Sequence, residues 1–237
     1  LKELTGLKNL TTLNLAGTTV TDERLKELKG LTGLTSLNLD RTRVTDEGLK
    51  IVKELKNLTT LQLGVGVTDA GLKEVKELKS LTKLDLRNTR VTDAGLRELT
   101  ELKNLSVLYL NKEITNAGLK IVKEFKSLTT LDLHGGDGLV LNDRVTDEGL
   151  KEIKQLKNLV NLGLIGRGVT DAGLKELKEL TNLTTLDLSF TGVTDAGMSQ
   201  IKELKKLTTV ELHHTAVTDM GVKELKAALP KCQIVKY

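Results

Sequence analysis

A tripeptide, Val-Thr-Asp, returns along this chain at a nearly fixed interval, and that recurrence restricts the fold more than any other feature. It starts at Val20, Val44, Val67, Val91, Val145, Val169, Val193 and Val217, with Ile114-Thr115-Asn116 as a variant copy. The intervals are 24, 23, 24, 23, 31, 24, 24 and 24 residues. Self-similarity at such a period belongs to arrays of stacked units, not to one core wrapped once. At 237 residues the chain has room for about ten units.

Within each unit the apolar period changes. Leu-x-Leu pairs fall at 13/15, 37/39, 61/63, 84/86, 108/110, 131/133, 162/164 and 186/188, with Val210/Leu212 as a ninth. Period two predicts a short strand with one face buried. After Val-Thr-Asp the apolar residues step by three, as in Leu174, Leu177 and Leu180, which predicts a helix of about ten residues. Thr170 is placed to cap it, and Asp171 puts a carboxylate at the positive end of the helix dipole. The glycine that recurs in the first helical turn, Gly173 in this copy, points to close packing against the next unit. Only 2% of the residues are aromatic and there is no Trp, so the core is aliphatic and mostly leucine.

One unit cannot bury enough to offset the entropy of ordering it, so units must stack. Strands stack ~4.8 Å apart and helices ~8–10 Å apart. A column with strands on one side and helices on the other must therefore curve, helices outside. The expected architecture is α/β: a horseshoe solenoid of about nine to ten repeats. A parallel sheet lines its concave face and helices cover the convex one. Residues 1–237 are read as one such domain, with a seven-residue loop insertion near 134–144 and a closing half-repeat at 222–237. The N-terminal segment Leu1–Leu4 falls inside a helix without a polar cap, which suggests that a preceding cap has been trimmed. A monomer is expected.

The pattern resembles the leucine-rich repeat family over essentially the whole chain. The signature L-x-x-L-x-L-x-x-[N/C/T] is met by Leu10, Leu13, Leu15 and Thr18, and again by Leu183, Leu186, Leu188 and Thr191. Thr-Asp-x-Gly-Leu is similar to the cysteine-containing subclass of F-box-type proteins and bacterial relatives. Thr18, Thr42, Thr89, Thr191 and Thr215 stand where that family often has Asn or Cys, and a hydroxyl there can still satisfy backbone groups at the bend. The resemblance implies a non-catalytic scaffold that binds a protein on its concave face. It also admits a substrate-recognition or inhibitor module of a larger effector or ubiquitin-ligase-like protein. The near-identity of the repeats raises an engineered, consensus-like scaffold, against which the uneven intervals of 23 and 31 argue.

Comparing the repeats with one another picks out a patch. The exposed strand positions of the first three are small and neutral apart from Asp40, and from the fourth onward charge and bulk appear. Lys83, Asp85, Arg87, Tyr109, Asn111, Asp132 and His134 form the expected centre, with Tyr109 the lone aromatic on the strand face; Tyr and Arg are favoured interface anchors. Asp137 and Leu139 of the insertion and Phe190 at the rim complete the expected contact set.

Other chemistries find no support in the sequence. Lysines and glutamates interleave, so no basic stripe for nucleic acid forms despite a net charge of +4. The Asp column at the helix starts is too widely spaced for calcium. It is read as helix-start charge, and the Lys/Glu runs as solvated faces with i,i+4 pairing. One cysteine, Cys232, excludes a disulfide scaffold. Asp187 and Glu211 on adjacent strands approach the spacing of a glycosidase pair, but an open wall offers no pocket to raise one pKa. No catalytic, cofactor or metal residue is assigned, and no apolar run is long enough for a membrane span. The sequons at Asn9, Asn57, Asn104 and Asn182 are read as accidents of the repeat. With the lack of cysteine clusters beside the repeats, they weakly favour a bacterial or cytoplasmic setting; the missing signal peptide says nothing of location.

Overall fold

The computed structural model describes residues 1–136 and 142–237. Twelve strands form among the described residues: β1 (Thr12–Asn14), β2 (Ser36–Asn38), β3 (Thr60–Gln62), β4 (Lys83–Asp85), β5 (Val107–Asn111), β6 (Thr130–Gly135), β7 (Asn161–Gly163), β8 (Gly166–Thr170), β9 (Thr185–Asp187), β10 (Thr191–Gly192), β11 (Thr209–Glu211) and β12 (Gln233–Val235). Ten of them make one parallel sheet in the order β1-β2-β3-β4-β5-β6-β7-β9-β11-β12, while β8 and β10 pair separately. Each sheet strand thus lies beside its neighbour one repeat away, as in a solenoid whose concave wall is the sheet. The register aligns like positions, for instance Leu61 with Leu84 and Leu84 with Leu108. The second residue of β2 to β7, β9 and β11, a Leu or in β11 Val210, points into a core that is mostly leucine, and Phe125 packs within it.

Helices follow the Val-Thr-Asp segments: α1 (Asp22–Leu25), α2 (Asp46–Val52), α3 (Asp69–Val75), α4 (Asp93–Glu98), α5 (Asn116–Val122), α6 (Asp147–Ile153), α7 (Asp171–Leu174), α8 (Asp195–Ile201) and α9 (Asp219–Ala228). All but α9 are shorter than the ten residues expected. The leucine step of three explains the difference, since it suits three residues per turn better than 3.6. In two copies the chain continues as a 3₁₀ helix, at Lys26–Gly30 and Lys175–Glu179.

The helix-start carboxylates do more than complement a dipole. Asp46 accepts from the backbone N–H of Thr68 at 2.8 Å and from its hydroxyl at 2.7 Å. Asp22, Asp69, Asp93, Asp147, Asp171 and Asp195 make the same two bonds to the Thr one repeat on. That Thr caps its own helix, so one hydroxyl links two repeats and one helix end. The recurring glycine is the seat of this latch: a Cβ on Gly48 would sit 2.5 Å from Asp22 Oδ1. In the first copy Arg24 occupies the glycine place, and Thr21 makes no side-chain cap bond. In the last, Asp219 has no following Thr and pairs instead with Lys236 at 2.8 Å.

Smaller ladders reinforce the stack. The hydroxyls of Thr18, Thr42, Thr89, Thr191 and Thr215 each donate to the carbonyl three residues back, as the bend requires. The amides of Asn57, Asn104 and Asn182 each donate to a carbonyl one repeat earlier, so these asparagines have a structural use. The expected i,i+4 pairing of Lys and Glu gives way to other spacings. With helices this short, the partner of a Lys lies one repeat on: Lys53–Glu74 at 2.8 Å, Lys76–Glu98 at 3.0 Å and Lys123–Glu152 at 2.8 Å. Within a helix the pairs are i,i+3, as in Lys50–Glu47 and Lys151–Glu148. Cys232 is fully buried beside β12, and burial pushes its thiol pKa up.

Candidate functional site

The concave wall divides into three zones along the stack. Over β1 to β3 it presents hydroxyls and amides, from Thr12, Asn14, Ser36, Asn38, Thr60 and Gln62. They line a shallow hollow of about 310 Å³ that ends at Tyr109. Over β4 and β5 it turns cationic and aromatic, and over β6 to β11 it is dominated by carboxylates.

In the middle zone, strand register puts Asp85 beside Tyr109 and Lys83 beside Val107. Tyr109 is half-buried between two cations. Lys83 Nζ lies 5.2 Å from its ring centroid and Arg87 Cζ 4.8 Å. Arg87 is aimed by Asp85, to which its Nε donates at 3.0 Å and its Nη2 at 2.7 Å. Asp85 itself is 3% exposed. It holds the guanidinium over the ring and offers little surface of its own. The hydrogen bonds from Arg87 to Asp85 raise the guanidinium pKa against the opposing effect of burial. The three half-buried side chains form a cation–aromatic–cation row.

The acidic zone is built around His134. Its Nδ1 lies 2.5 Å from Asp132 Oδ1, and its Nε2 lies 2.9 Å from Asp187 Oδ2. Asp132 is on β6 and Asp187 on β9, so the imidazole bridges across the strand between them, β7. It can do so because that strand carries Gly163. A Cβ there would sit 2.7 Å from His134 Cε1 and 2.8 Å from Nδ1. Burial works against protonation of this ring, but the bonds to Asp132 and Asp187 outweigh it and hold its pKa up at about 10. Burial likewise opposes ionisation of Asp187, and the bond from His134 keeps its carboxyl below the ordinary range. The clamp therefore carries two negative charges and one positive. Further along, His213 stacks on Tyr237 with ring centroids 4.7 Å apart.

Four of the expected contact residues stand apart from this arrangement. Asn111 is 1% exposed and faces inward. Its amide donates to Thr89 Oγ1 and to the Val91 carbonyl, both at 2.9 Å, and its Oδ1 accepts from the Glu113 N–H. It is a bend residue, brought inward because its repeat is one residue short, and it leaves the contact set. Phe190 is half-buried with φ of 60° and stacks on His214, centroids 4.5 Å apart. Gly17, Arg41 and His214 also have positive φ. Asp137 and Leu139 lie outside the described residues. The described end of the insertion is tied down: Asn142 is buried and donates to the Ile114 carbonyl, and Arg144 pairs with Glu113 at 2.8 Å.

The sequence reading missed the role of Asp187 as second partner of His134, and Gly163 as its seat. The available signal was Gly163 itself, a lone glycine in the exposed column that runs Asp132, Gly163, Asp187. Among the described residues no group of three or more His, Cys, Asp or Glu is arranged to hold a metal ion. Among them, too, no helix is long and apolar enough to cross a membrane.

A family model described as Leucine Rich repeat matches residues 6–28, 31–50, 77–99 and 179–202. Those matches coincide with the strand–bend–helix units seen in the fold. The chain is a leucine-rich repeat protein. The leucine-rich repeat solenoid also matches solved structures along its length. An internalin (inlF) from Listeria monocytogenes matches with a TM-score of 0.63 and 19% identity, over 100% of this chain and 76% of that one. Internalin C2 from the same organism matches with a TM-score of 0.55 and 24% identity, over 96% of this chain and 80% of that one. At these identities the likeness is one of fold. No curated protein matches the leucine-rich repeat chain by sequence.

Proposed function

We propose that this leucine-rich repeat protein is a non-catalytic scaffold that grips another protein over its concave wall, with Tyr109 at the centre of the contact. Curved solenoids present extended concave surfaces suited to such binding. The observation that carries the reading is the row Lys83–Tyr109–Arg87. Arg and Tyr are the side chains most often found as interface anchors, and here they are held in place before any partner arrives. Preorganisation lowers the entropy lost on binding. The neutral shelf on one side and the carboxylates on the other give the wall a polarity along the stack. This favours a partner with acidic or acceptor groups opposite Lys83 and Arg87, and basic groups opposite Asp132, Asp187 and Glu211. A non-catalytic role is supported by His134, whose two ring nitrogens are both engaged by carboxylates. Asp137 and Leu139 of the insertion and Phe190 at the rim are proposed as peripheral contacts.

The test is site-specific photo-cross-linking from position 109, followed by Tyr109→Ala and Lys83→Glu in a quantitative binding assay with the captured protein. Each substitution is expected to weaken binding at least about tenfold, the effect of losing an anchor of ~1.4 kcal/mol or more, with the melting temperature unchanged. Arg87→Ala is a poorer probe, because it would leave Asp85 buried without its partner. Unchanged affinity in both variants would remove the concave wall from the interface.

A further inference from the structure

Beside the concave wall, on the rim where the strands pass into the convex side, the solenoid has a second hollow, of about 770 Å³. Repeat length creates it. The connection from Leu63 to Val67, and that from Leu110 to Ile114, each have one residue fewer than the connection between them, from Leu86 to Val91. The first is drawn tight against the preceding repeat: a Cβ on Gly64 would lie 3.1 Å from the Leu39 carbonyl oxygen. Two recessed connections therefore flank a full-length one, leaving a depression along the rim.

The lining is one-sided in charge. Among the described lining residues, Arg41, Arg87, Arg90 and Lys112 contribute four cations and Glu113 one acid. Glu113 is already paired with Arg144 at 2.8 Å, Arg87 with Asp85 of the concave wall at 2.7 Å, and Arg41 approaches Asp40 at 3.9 Å, so the charge of the groove rests on Arg90 and Lys112. Arg90 and Lys112 are exposed. On the floor Val65 is 50% exposed, one of the few large apolar side chains so open. Exposed cations around an apolar spot complement a ligand that combines carboxylates with an aliphatic side chain.

We infer that this rim groove is a binding site for an acidic peptide segment carrying an aliphatic residue, separate from the concave contact centred on Tyr109. The cations face the carboxylates and Val65 receives the aliphatic side chain. The site shares Arg87 with the concave row but does not depend on it, since Arg90, Lys112 and Val65 lie outside the wall.

The experiment is a ¹⁵N NMR titration of the full chain with the synthetic peptide acetyl-Asp-Glu-Leu-Glu-Asp-amide. Its all-lysine counterpart, inorganic phosphate and a sulfated oligosaccharide serve as alternative ligands. The acidic peptide should shift the amides of Val65, Gly66, Lys112 and Glu113. Its affinity should fall at least about tenfold between 50 and 300 mM salt, as charge screening requires. Arg90→Glu with Lys112→Glu should abolish the shifts, Val65→Asp should weaken them, and Tyr109→Ala should leave them intact. Melting temperature checks that each variant is folded. The inference is overturned if these amides do not move at millimolar peptide, if the lysine peptide binds as well, or if folded Arg90→Glu/Lys112→Glu protein binds unchanged. Tighter binding of phosphate or of the sulfated oligosaccharide would also overturn it, by making the groove a simple anion or glycan site.

Discussion

At the scale of single residues, this protein repeatedly uses a missing side chain to admit a polar contact. Gly48 and its counterparts admit a carboxylate from the preceding repeat, and Gly163 admits an imidazole across a strand. The second case has a consequence in pH. His134 is protonated in the fold up to about pH 10, whereas a free histidine loses its proton near ~6.5. A raised folded pKa means that the stabilisation is complete below about pH 6.5 and is lost as pH rises toward 10. Asp187 acts in the opposite direction. Its depressed pKa gives stability that is present above the ordinary carboxylate range and lost as the medium becomes acidic enough to protonate it. Urea unfolding at pH 6 and pH 10 should show a larger loss for the parent protein than for His134→Gln. At pH 6 the variant should be less stable by roughly 2 kcal/mol, the usual worth of charge-assisted hydrogen bonds. Parallel pH profiles for the two proteins would dissociate the clamp from stability.

At the scale of the element, the Asp–Thr–Gly latch explains both the regular helix starts and the uncapped start of α6. In α5 the latch residue is Asn116. Its Oδ1 accepts from the Thr146 N–H at 2.9 Å, but its Nδ2 donates to the Thr146 hydroxyl at 2.8 Å. That hydroxyl is now an acceptor from the amide, and Thr146 makes no side-chain cap bond to α6. A carboxylate would reverse the hydroxyl and free its lone pair for the helix N–H. Asn116→Asp should therefore stabilise the protein. A cap bond of ~1 kcal/mol corresponds to a rise of about 2–4 °C in melting temperature for a chain of this size. Calorimetry decides the matter, and a lower melting temperature would show that the amide is the better latch here. The element scale also shows why the helices were harder to read than the strands. Leucines at steps of three are compatible with α and 3₁₀ winding alike, and the choice depends on how soon the chain must turn into the next strand.

At the scale of the whole molecule, stability is shared between neighbours along one axis. Leu131 is fully buried in β6, with a strand on either side. Leu13, in the edge strand β1, is only half-buried. Leu131→Ala should cost roughly 2–5 kcal/mol and lower hydrogen-exchange protection in the repeats on both sides. Leu13→Ala should cost less and affect the first repeats alone, and equal effects from the two would argue for one undivided core. The solenoid itself was legible in the sequence because its causes are local and repeated: period two, then three, then a turn, nine times over. The strand register followed, and with it the zoning of the concave wall and the placing of Lys83, Arg87 and Tyr109 together. Tertiary structure alone decided which exposed-looking positions are spent internally, as Asn111 and Asp85 are. It alone decided that His134 reaches over β7 to Asp187, and that two short connections hollow the rim. Those outcomes depend on side-chain reach across strands distant in sequence, whereas the arc of the solenoid depends only on a difference in thickness between strand and helix that every repeat states again.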